Sequence, residues 1–592
     1  ALAFAGVYNG PLDELPLLLW GALAIVVWAW LVPPRPAPPR APVLTALALV
    51  WCLVAWRASV SPAVSLAPTW SLLLIPLAML VTLTARRATP QLLVAGSGGA
   101  LLLALGYRDL LVGELEAPTA LMDPNNIATL ANLLWPPAAA LLLASSGALR
   151  LPALAGVTGV ATLVLLASGS RAGLALGIAL LLVLLLPALR LGDRRALAVL
   201  ILAPLLAGGL DAFLEPPAAT RLDDFRPRAA SSGFAVRGLL TEAALELWAG
   251  APLTGTGPQT FHLLYPAVRD PAEQSTAGYF VHDDWVQLPQ ELGLPAALVL
   301  PGLVLWLVVR GLRTRRRLLA TPAAARAALP AVGLLLAAGS ALVHATVNFT
   351  VYVAPLGVIL GIWLGALARP AGNGGARGGH ASRILGCALA TIMLVPLAVD
   401  AVSAAALMGH RGFPGLAPSP TPRTELARAL LRLAPDDAVP PFYLASIQHR
   451  RANAQPDPDS RRYAAALAIQ YYEQALRRDP RNTEVHLRYA ELLRALGGSV
   501  PLPDGGRRED LGLLRTARAV DPVGTVPAIA LGRRLAERGD AAAERALLAD
   551  WLRFCRFGAR YEPGGAARLR ARAEEIGLAA EARAACPRTA RP

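Results

Sequence analysis

Apolar runs of about twenty residues recur along this chain of 592 residues and constrain its fold more than any other feature. A helix of that length crosses the ~30 Å hydrocarbon core of a bilayer with every backbone hydrogen bond made internally. With 55% hydrophobic and only 16% charged residues, one large water-soluble globule is excluded. The sequence predicts an all-α, polytopic transmembrane helical bundle. Its spans, about twelve, are expected at 15–32, 42–56, 68–84, 91–106, 126–145, 151–168, 172–189, 196–212, 290–309, 328–346, 351–368 and 384–404.

The net charge of +15 comes from arginine, since the chain contains no lysine. If the spans alternate, one side receives the arginine-bearing connections, which include residues 35–40, 86–87, 190–195, 310–317 and 369–383. The positive-inside rule assigns that side to the cytoplasm, so the charge indicates topology and not nucleic-acid binding. The opposite face then holds every long polar segment. Alternation of these spans also places the N-terminus on the outer side. We therefore expect either that one span among residues 1–106 is miscounted or that a further helix precedes Ala1.

The chain divides into a membrane domain, 1–404, with a large extracytoplasmic loop at 213–289, and a soluble extracytoplasmic domain, 405–592. In the soluble part, Tyr472, Ala475 and Pro480 have the spacing of a tetratricopeptide repeat. A second copy lies at Ala517 and Pro522, and a looser one ends on Pro435. Long separations between the copies indicate insertions. The pattern predicts a short α-solenoid that either docks a protein or glycan partner or simply caps the membrane domain.

Four cysteines do not form a metal-ligand motif, and no metal or cofactor is expected. Two of them, Cys555 and Cys586, lie in the predicted outer compartment, where they could pair as a disulfide.

Arg171 stands in the short turn Ala-Ser-Gly-Ser-Arg-Ala-Gly between two strongly apolar spans. A guanidinium offers five donors in a fixed fork that suits a phosphate or diphosphate, and the small neighbours, with Ser170 among them, could admit a ligand to the backbone. The alternative is an interfacial arginine whose charge reaches the headgroups.

The outer loop contains a predicted helix from about Phe234 to Trp248, which carries Arg237. This arginine is a second candidate phosphate ligand, although an amphipathic surface helix would carry one anyway. The following stretch, GAPLTGTGPQTF, lacks a nucleotide-binding fingerprint and is interpreted as a tight loop.

His282 lies where the outer loop re-enters the membrane, followed by Asp283 and Asp284. A neutral imidazole is a natural general base for a hydroxyl, and the carboxylates could orient it and raise its basicity. The alternatives are an interfacial histidine and a carboxylate pair that binds a divalent ion. Within a late span, His344 and Asn348 are expected to be structural, hydrogen-bonded between helices.

Together these motifs resemble the O-antigen ligase and O-antigen polymerase (Wzy-type) superfamily of bacterial envelope enzymes. Residues 120–370 carry the resemblance, through LMDPNNIATL, ASGSRAG, Arg237 with Trp248 before PLTGTGPQTF, YFVHDDWVQLPQELGL and HATVNFTVYVAPLG. The chain departs from the family where His-Asn or His-Ser becomes His282-Asp283, and where the Asp of the late span becomes Asn348.

The resemblance implies a metal-independent glycosyltransferase in the bacterial inner membrane. Its donor would be an undecaprenyl-diphosphate-linked glycan, and its acceptor a lipid A-core, a glycan or a protein. Arg171 and Arg237 would hold the diphosphate, and His282 would deprotonate the acceptor hydroxyl, with Ser170, Asp283 and Asp284 as possible supporting residues. The rival hypothesis is a non-catalytic scaffold or transporter for polysaccharide assembly whose repeats recruit partners.

Overall fold

A computed structural model describes residues 40–84, 123–214, 234–273, 276, 278–369, 388, 407, 423–502 and 506–586. Three of the predicted spans, 15–32, 91–106 and 384–404, fall outside the described residues or almost entirely so. Residues 215–233, at the start of the large loop, fall outside them as well.

All nine predicted spans that fall on described residues are helical. The helices are α1 (Arg40–Arg57), α2 (Pro62–Thr84), α3 (Pro124–Ala144), α4 (Arg150–Ser168), α5 (Arg171–Arg190), α6 (Arg194–Leu214), α10 (Leu294–Ala320), α11 (Pro322–His344) and α12 (Ala354–Ala368). Among described residues, six are long and apolar enough to cross a membrane, namely α2, α3, α4, α5, α10 and α11. These six helices support an all-α membrane protein, whereas the full count of twelve stays a prediction.

Three shorter helices belong to the large loop and its return to the membrane. They are α7 (Phe234–Gly250), α8 (Phe261–Val268) and α9 (Asp284–Leu292). The predicted helix at Phe234 to Trp248 is therefore confirmed. The span expected from residue 290 instead begins at Leu294, because Gly293 has φ +73° and separates α9 from α10.

Helix α3 is the centre of the membrane domain and packs against α4, α5, α11 and α12. Small residues allow close approach: a Cβ at Gly333 of α11 would lie 2.7 Å from the carbonyl oxygen of Pro136. By contrast, α5, α6 and α10 expose large apolar side chains such as Leu182, Leu205 and Leu298. Exposed apolar surface of this extent suits contact with lipid.

The helix order brings the arginine-rich connections to one end of the bundle. There Arg190 donates to the carbonyl oxygen of Leu319 at 3.2 Å, and Arg310 donates to that of Arg369 at 3.5 Å. The starts of α3 and α5, the end of α11 and the short helices α7 to α9 lie at the opposite end. The charge asymmetry expected from the sequence is thus a property of the folded bundle.

Within residues 423–502 and 506–586, the tail is helical apart from one small hairpin. Its elements are α13 (Thr424–Leu433), α14 (Val439–Ala454), α15 (Pro458–Arg478), α16 (Thr483–Ala495), β1 (Ser499–Pro501), β2 (Arg507–Glu509), α17 (Asp510–Val520), α18 (Thr525–Glu537), α19 (Ala541–Leu552), α20 (Cys555–Tyr561), α21 (Pro563–Glu575) and α22 (Ala579–Ala585). Strands β1 and β2 pair antiparallel and interrupt the helices after α16, where the sequence indicated an insertion. Tyr472 and Ala475 of the proposed repeat are buried, and consecutive helices pack in sequence. The tetratricopeptide assignment itself stays a prediction.

Cys555 and Cys586 form a disulfide with Cα atoms 5.6 Å apart, as the sequence suggested. The bond ties α20 to the end of α22.

The described part of the tail contacts the membrane domain at the end where α7 to α9 lie. Arg57 pairs with Asp436 at 3.3 Å, and the buried hydroxyl of Ser61 donates to Asp479 at 3.0 Å. In the third contact, the ring of Phe557 on α20 lies 4.3 Å from the guanidinium carbon of Arg269, at the end of α8. The tail thus contacts the short helices of the large loop directly.

Candidate functional site

The structure brings Arg171 and His282 within electrostatic reach of Arg237, and all three residues lie at the same end of the bundle. Burial lowers the pKa of Arg237, and the positive charge of Arg171 also lowers it, while the charges of Asp123 and Asp283 act in the opposite direction. Arg171 is the exposed first residue of α5, and Arg237 is half-buried on α7. Two guanidiniums within electrostatic reach of each other repel, so this arrangement favours an anionic ligand between them.

Ser170 positions Arg171 by capping α5 and tying it to α3. Its hydroxyl accepts a hydrogen bond from the backbone N–H of Gly173 at 3.1 Å and donates to the amide oxygen of Asn125 at 2.8 Å. The chain can turn sharply there because Gly169 has φ +66°. Ser170 is therefore well placed as a supporting residue.

Gly173 has a different use from the one the sequence suggested. A Cβ at this position would lie 2.2 Å from the Cβ of Ala128 on α3. The small residue permits close packing of α5 on α3, which fixes the direction in which α5 begins.

His282 adopts a left-handed backbone conformation, with φ +59°. For a residue other than glycine this costs about 1–3 kcal/mol and occurs where the surroundings impose it, often at functional sites. Its ring lies edge-on to Phe349, with centroids 5.4 Å apart. Burial, with the charge of Arg237 as a second cause, lowers the pKa of His282 to about 4. The imidazole is consequently neutral at physiological pH.

The expectation that neighbouring carboxylates orient His282 and raise its basicity is wrong. Asp283 caps α9, and its side chain accepts from the backbone N–H of Trp285 at 2.9 Å. Asp284 is fully buried and accepts from the backbone N–H groups of Thr350 at 2.6 Å and Val351 at 3.1 Å.

Burial raises the pKa of Asp283 and raises that of Asp284 to about 8. The two carboxylates accept hydrogen bonds from different backbone segments. They therefore stabilise the loop separately and do not act together as a pair that could bind a divalent ion. Within the described ranges, no group of three His, Cys, Asp or Glu side chains is arranged to hold a metal ion.

A small core shared by α7, α8 and the segment before α9 positions both Arg237 and His282. Its buried members are Leu240, Ala243, Ala244, Phe261, Tyr265 and Val281. Val281 directly precedes the histidine, and Leu240 lies one turn beyond the arginine. Movement of α8 would therefore displace both candidate site residues together.

The segment between α8 and His282 is held by a buried ion pair. Arg269 contacts Glu273 at 2.9 Å, and the two side chains are 1% and 0% exposed. Tyr265 donates to Glu273 at 2.9 Å, and the Arg269 guanidinium lies between the rings of Tyr265 and Phe557. An aromatic residue from the tail thus completes the enclosure of the loop that leads to His282.

Sequence reasoning missed Glu291, which organises the tight loop before α8. Its carboxylate is fully buried and accepts hydrogen bonds from the backbone N–H groups of Gln259 at 2.8 Å and Phe261 at 3.3 Å, and from the Tyr352 hydroxyl. Burial raises the pKa of Glu291 to about 7. The sequence offered one signal, three polar residues close together just before an apolar span: Gln287, Gln290 and Glu291. All three are buried in the structure.

His344 and Asn348 make the interhelical hydrogen bonds that were expected. His344 Nδ1 lies 2.7 Å from the hydroxyl of Thr129, and Asn348 donates to the amide oxygen of Asn126 at 2.7 Å. His344 also lies within electrostatic reach of Arg237. This pair therefore belongs to the surroundings of the candidate site, although the sequence suggested only a structural use.

These features define a helical membrane protein with a cationic, imidazole-bearing candidate site at the end of its bundle opposite Arg190 and Arg310. A family model described as O-antigen ligase matches residues 156–301, a stretch that contains Arg171, Arg237 and His282. The match supports the O-antigen ligase superfamily and a glycosyltransferase-like role in envelope polysaccharide. No curated protein matches the chain.

Proposed function

We propose that this chain transfers a glycan from an undecaprenyl-diphosphate carrier to an acceptor hydroxyl at the outer face of the bacterial inner membrane. The observation that carries the proposal is the convergence of Arg171 and Arg237 beside a neutral His282 held at positive φ. The family match over the same residues supports it.

The two guanidiniums would bind the diphosphate. Their mutual repulsion is relieved when a dianion lies between them, and the same contacts stabilise the charge that develops on the leaving diphosphate. The bond from the anomeric carbon to phosphate oxygen breaks as the bond to the acceptor oxygen forms. Undecaprenyl diphosphate leaves with the electron pair, and inversion at the anomeric carbon follows from direct attack.

His282 would take the proton from the acceptor hydroxyl. A histidine with a pKa of about 4 is a weak base, but Arg237 is one cause of that low value. When diphosphate neutralises Arg237, the smaller of the two causes is removed and the pKa of His282 rises, while burial, the larger cause, still holds it below its ordinary value. Donor binding would thereby prepare the acceptor side of the reaction.

The opposite placement of the arginine-rich connections supports a cytoplasmic location for that end and an outer location for the site and tail. The Cys555–Cys586 disulfide also suits an oxidising outer compartment. A periplasm-only reporter fused after Pro592 should be active, and a silent reporter would contradict this orientation.

The central experiment reconstitutes the full chain with undecaprenyl-diphosphate glycan and candidate acceptors. His282→Ala and Arg171→Ala should each reduce transfer by about 100-fold or more, whereas Arg190→Ala, at the other end of the same helix as Arg171, should retain it. Undiminished transfer in both site variants would refute the assignment. A wild-type protein that binds donor but never transfers glycan would favour the scaffold or transporter hypothesis.

A further inference from the structure

A chain of hydrogen bonds at the outer end of α3 sets the proton position on His344. The Thr129 hydroxyl donates its single proton to the backbone carbonyl oxygen of Asn125 at 2.8 Å, so it acts as an acceptor toward His344 Nδ1 at 2.7 Å. His344 therefore carries its proton on Nδ1. The lone pair of its other nitrogen, Nε2, is left available as a hydrogen-bond acceptor.

Several buried polar atoms in this region have no hydrogen-bond partner among the described residues, including Asp284 Oδ1 and Thr350 Oγ1. Two of them, His344 Nε2 and Asn348 Oδ1, are acceptor atoms of uncharged side chains, since the amide of Asn348 already donates to Asn126. Their residues are 1% and 0% exposed. A buried polar atom without a partner costs about 1–3 kcal/mol, so a pair of them calls for a ligand or another explanation.

The two acceptors belong to side chains that are anchored on the same turn of α3. Their anchors, Asn126 and Thr129, are three residues apart and so neighbours on α3. The intervening Asn125 accepts from Ser170, which precedes Arg171, and His344 lies within electrostatic reach of Arg237. The first turn of α3 thus connects the unpaired acceptors to the proposed diphosphate site.

The chemistry of the pair selects the ligand. A neutral imidazole nitrogen and an amide oxygen both need a hydrogen donor, so phosphate oxygens are repelled and hydroxyl groups are favoured. An anion-binding pair of guanidiniums next to a hydroxyl-binding pair of acceptors matches a sugar joined to a diphosphate.

We propose that His344 Nε2 and Asn348 Oδ1 form a subsite for hydroxyl groups of the sugar attached directly to the carrier diphosphate. The inference rests on the proposed function and adds a donor-sugar contact to it. Thr129 is a positioning residue in this arrangement, because it fixes which nitrogen of His344 faces the sugar.

The test measures binding of two probes to the full chain in nanodiscs: undecaprenyl diphosphate, and the same lipid carrying one N-acetylglucosamine. His344→Phe keeps a ring of similar size but removes the lone pair. It should weaken the sugar-bearing probe about threefold to tenfold and leave the sugar-free lipid unchanged. Thr129→Val should give a smaller loss in the same direction.

His449→Phe is the matched control, since His449 is also buried with Nδ1 hydrogen-bonded to a hydroxyl, that of Tyr472 at 3.0 Å. It should change neither affinity. The subsite is refuted if His344→Phe and Thr129→Val both leave the ratio of the two affinities at the wild-type value, whether or not thermal stability falls. Arg171→Ala separates the two proposals, because unchanged binding of both probes in that variant contradicts the diphosphate site and not the sugar subsite.

Discussion

The buried pair of Arg269 and Glu273 offers the sharpest test of how the loop before His282 is held. Glu273→Gln keeps the shape of the side chain and removes its charge, so the Arg269 guanidinium stays buried without its counter-ion. Breaking a buried ion pair from one side costs about 3–5 kcal/mol. Arg269 keeps two hydrogen bonds of 3.1 Å to the carbonyl oxygen of Thr276 and its two aromatic neighbours, which places the expected cost near the lower figure.

A loss of about 3 kcal/mol raises the population of the opened loop by about 100-fold. Hydrogen exchange followed by mass spectrometry should show this increase across residues 269–283, while amides inside α3 keep their wild-type rates. Glycan transfer should fall mainly in kcat, because His282 would be displaced from the reacting hydroxyl while the diphosphate contacts persist.

Two variants make the result interpretable. Asp270→Asn also removes one negative charge in the same segment, but its side chain is exposed and accepts only a local bond from the backbone N–H of Ala272. It should behave as wild type. The double change Arg269→Met with Glu273→Leu removes both charges and should recover part of the exchange protection, because the Tyr265 hydroxyl and the Thr276 N–H still lose their acceptor. Exchange in Glu273→Gln that stays within about threefold of the Asp270→Asn rate would refute the reasoning.

Three further predictions concern the helix contact, the histidine and the disulfide. Gly173→Ala should lower thermal stability and glycan transfer, by about 1–3 kcal/mol in stability, since its Cβ would collide with α3, whereas Gly156→Ala has open space and should be neutral. Equal stabilities would contradict the packing argument. The acid limb of kcat/KM should lie near pH 4 because His282 in the free protein must be unprotonated to act, and a limb near pH 6.5 would show that its pKa is not lowered. Reduction of the denatured chain should expose two additional thiols, and Cys555→Ser with Cys586→Ser should destabilise the tail by about 2–5 kcal/mol; an unchanged thiol count would exclude the bond.

The helical membrane fold followed from the sequence because hydrophobic length alone determines whether a segment can cross a bilayer. The sequence also allowed Arg171, Arg237 and His282 to be selected as candidates, since charged and ionisable groups stand out among apolar spans. Their neighbours were harder to assign. Asp283 and Asp284 are adjacent in sequence, yet their side chains reach backbone amides of different segments, a result of long-range packing that spacing does not encode.

Glu291 and the tail contacts were missed for the same physical reason. A buried carboxylate is identified by the backbone groups that it satisfies, and those of Gln259 and Phe261 precede it by about thirty residues. The contact of Phe557 with Arg269 joins two domains and leaves no local pattern in either. The resemblance and the family match cover only the membrane part. Neither could therefore predict how the tail packs on it.

The reach of Phe557 from the tail to Arg269 has a consequence for biogenesis. The membrane helices and the loop that carries His282 are translated long before α20. The face of the Arg269 guanidinium that Phe557 covers therefore stays uncovered until the tail has folded. We expect the loop next to the candidate base His282 to reach its final order only after the tail has packed on it. A chain cleaved or stalled before α20 should then keep its membrane helices and lack the contact that closes this loop.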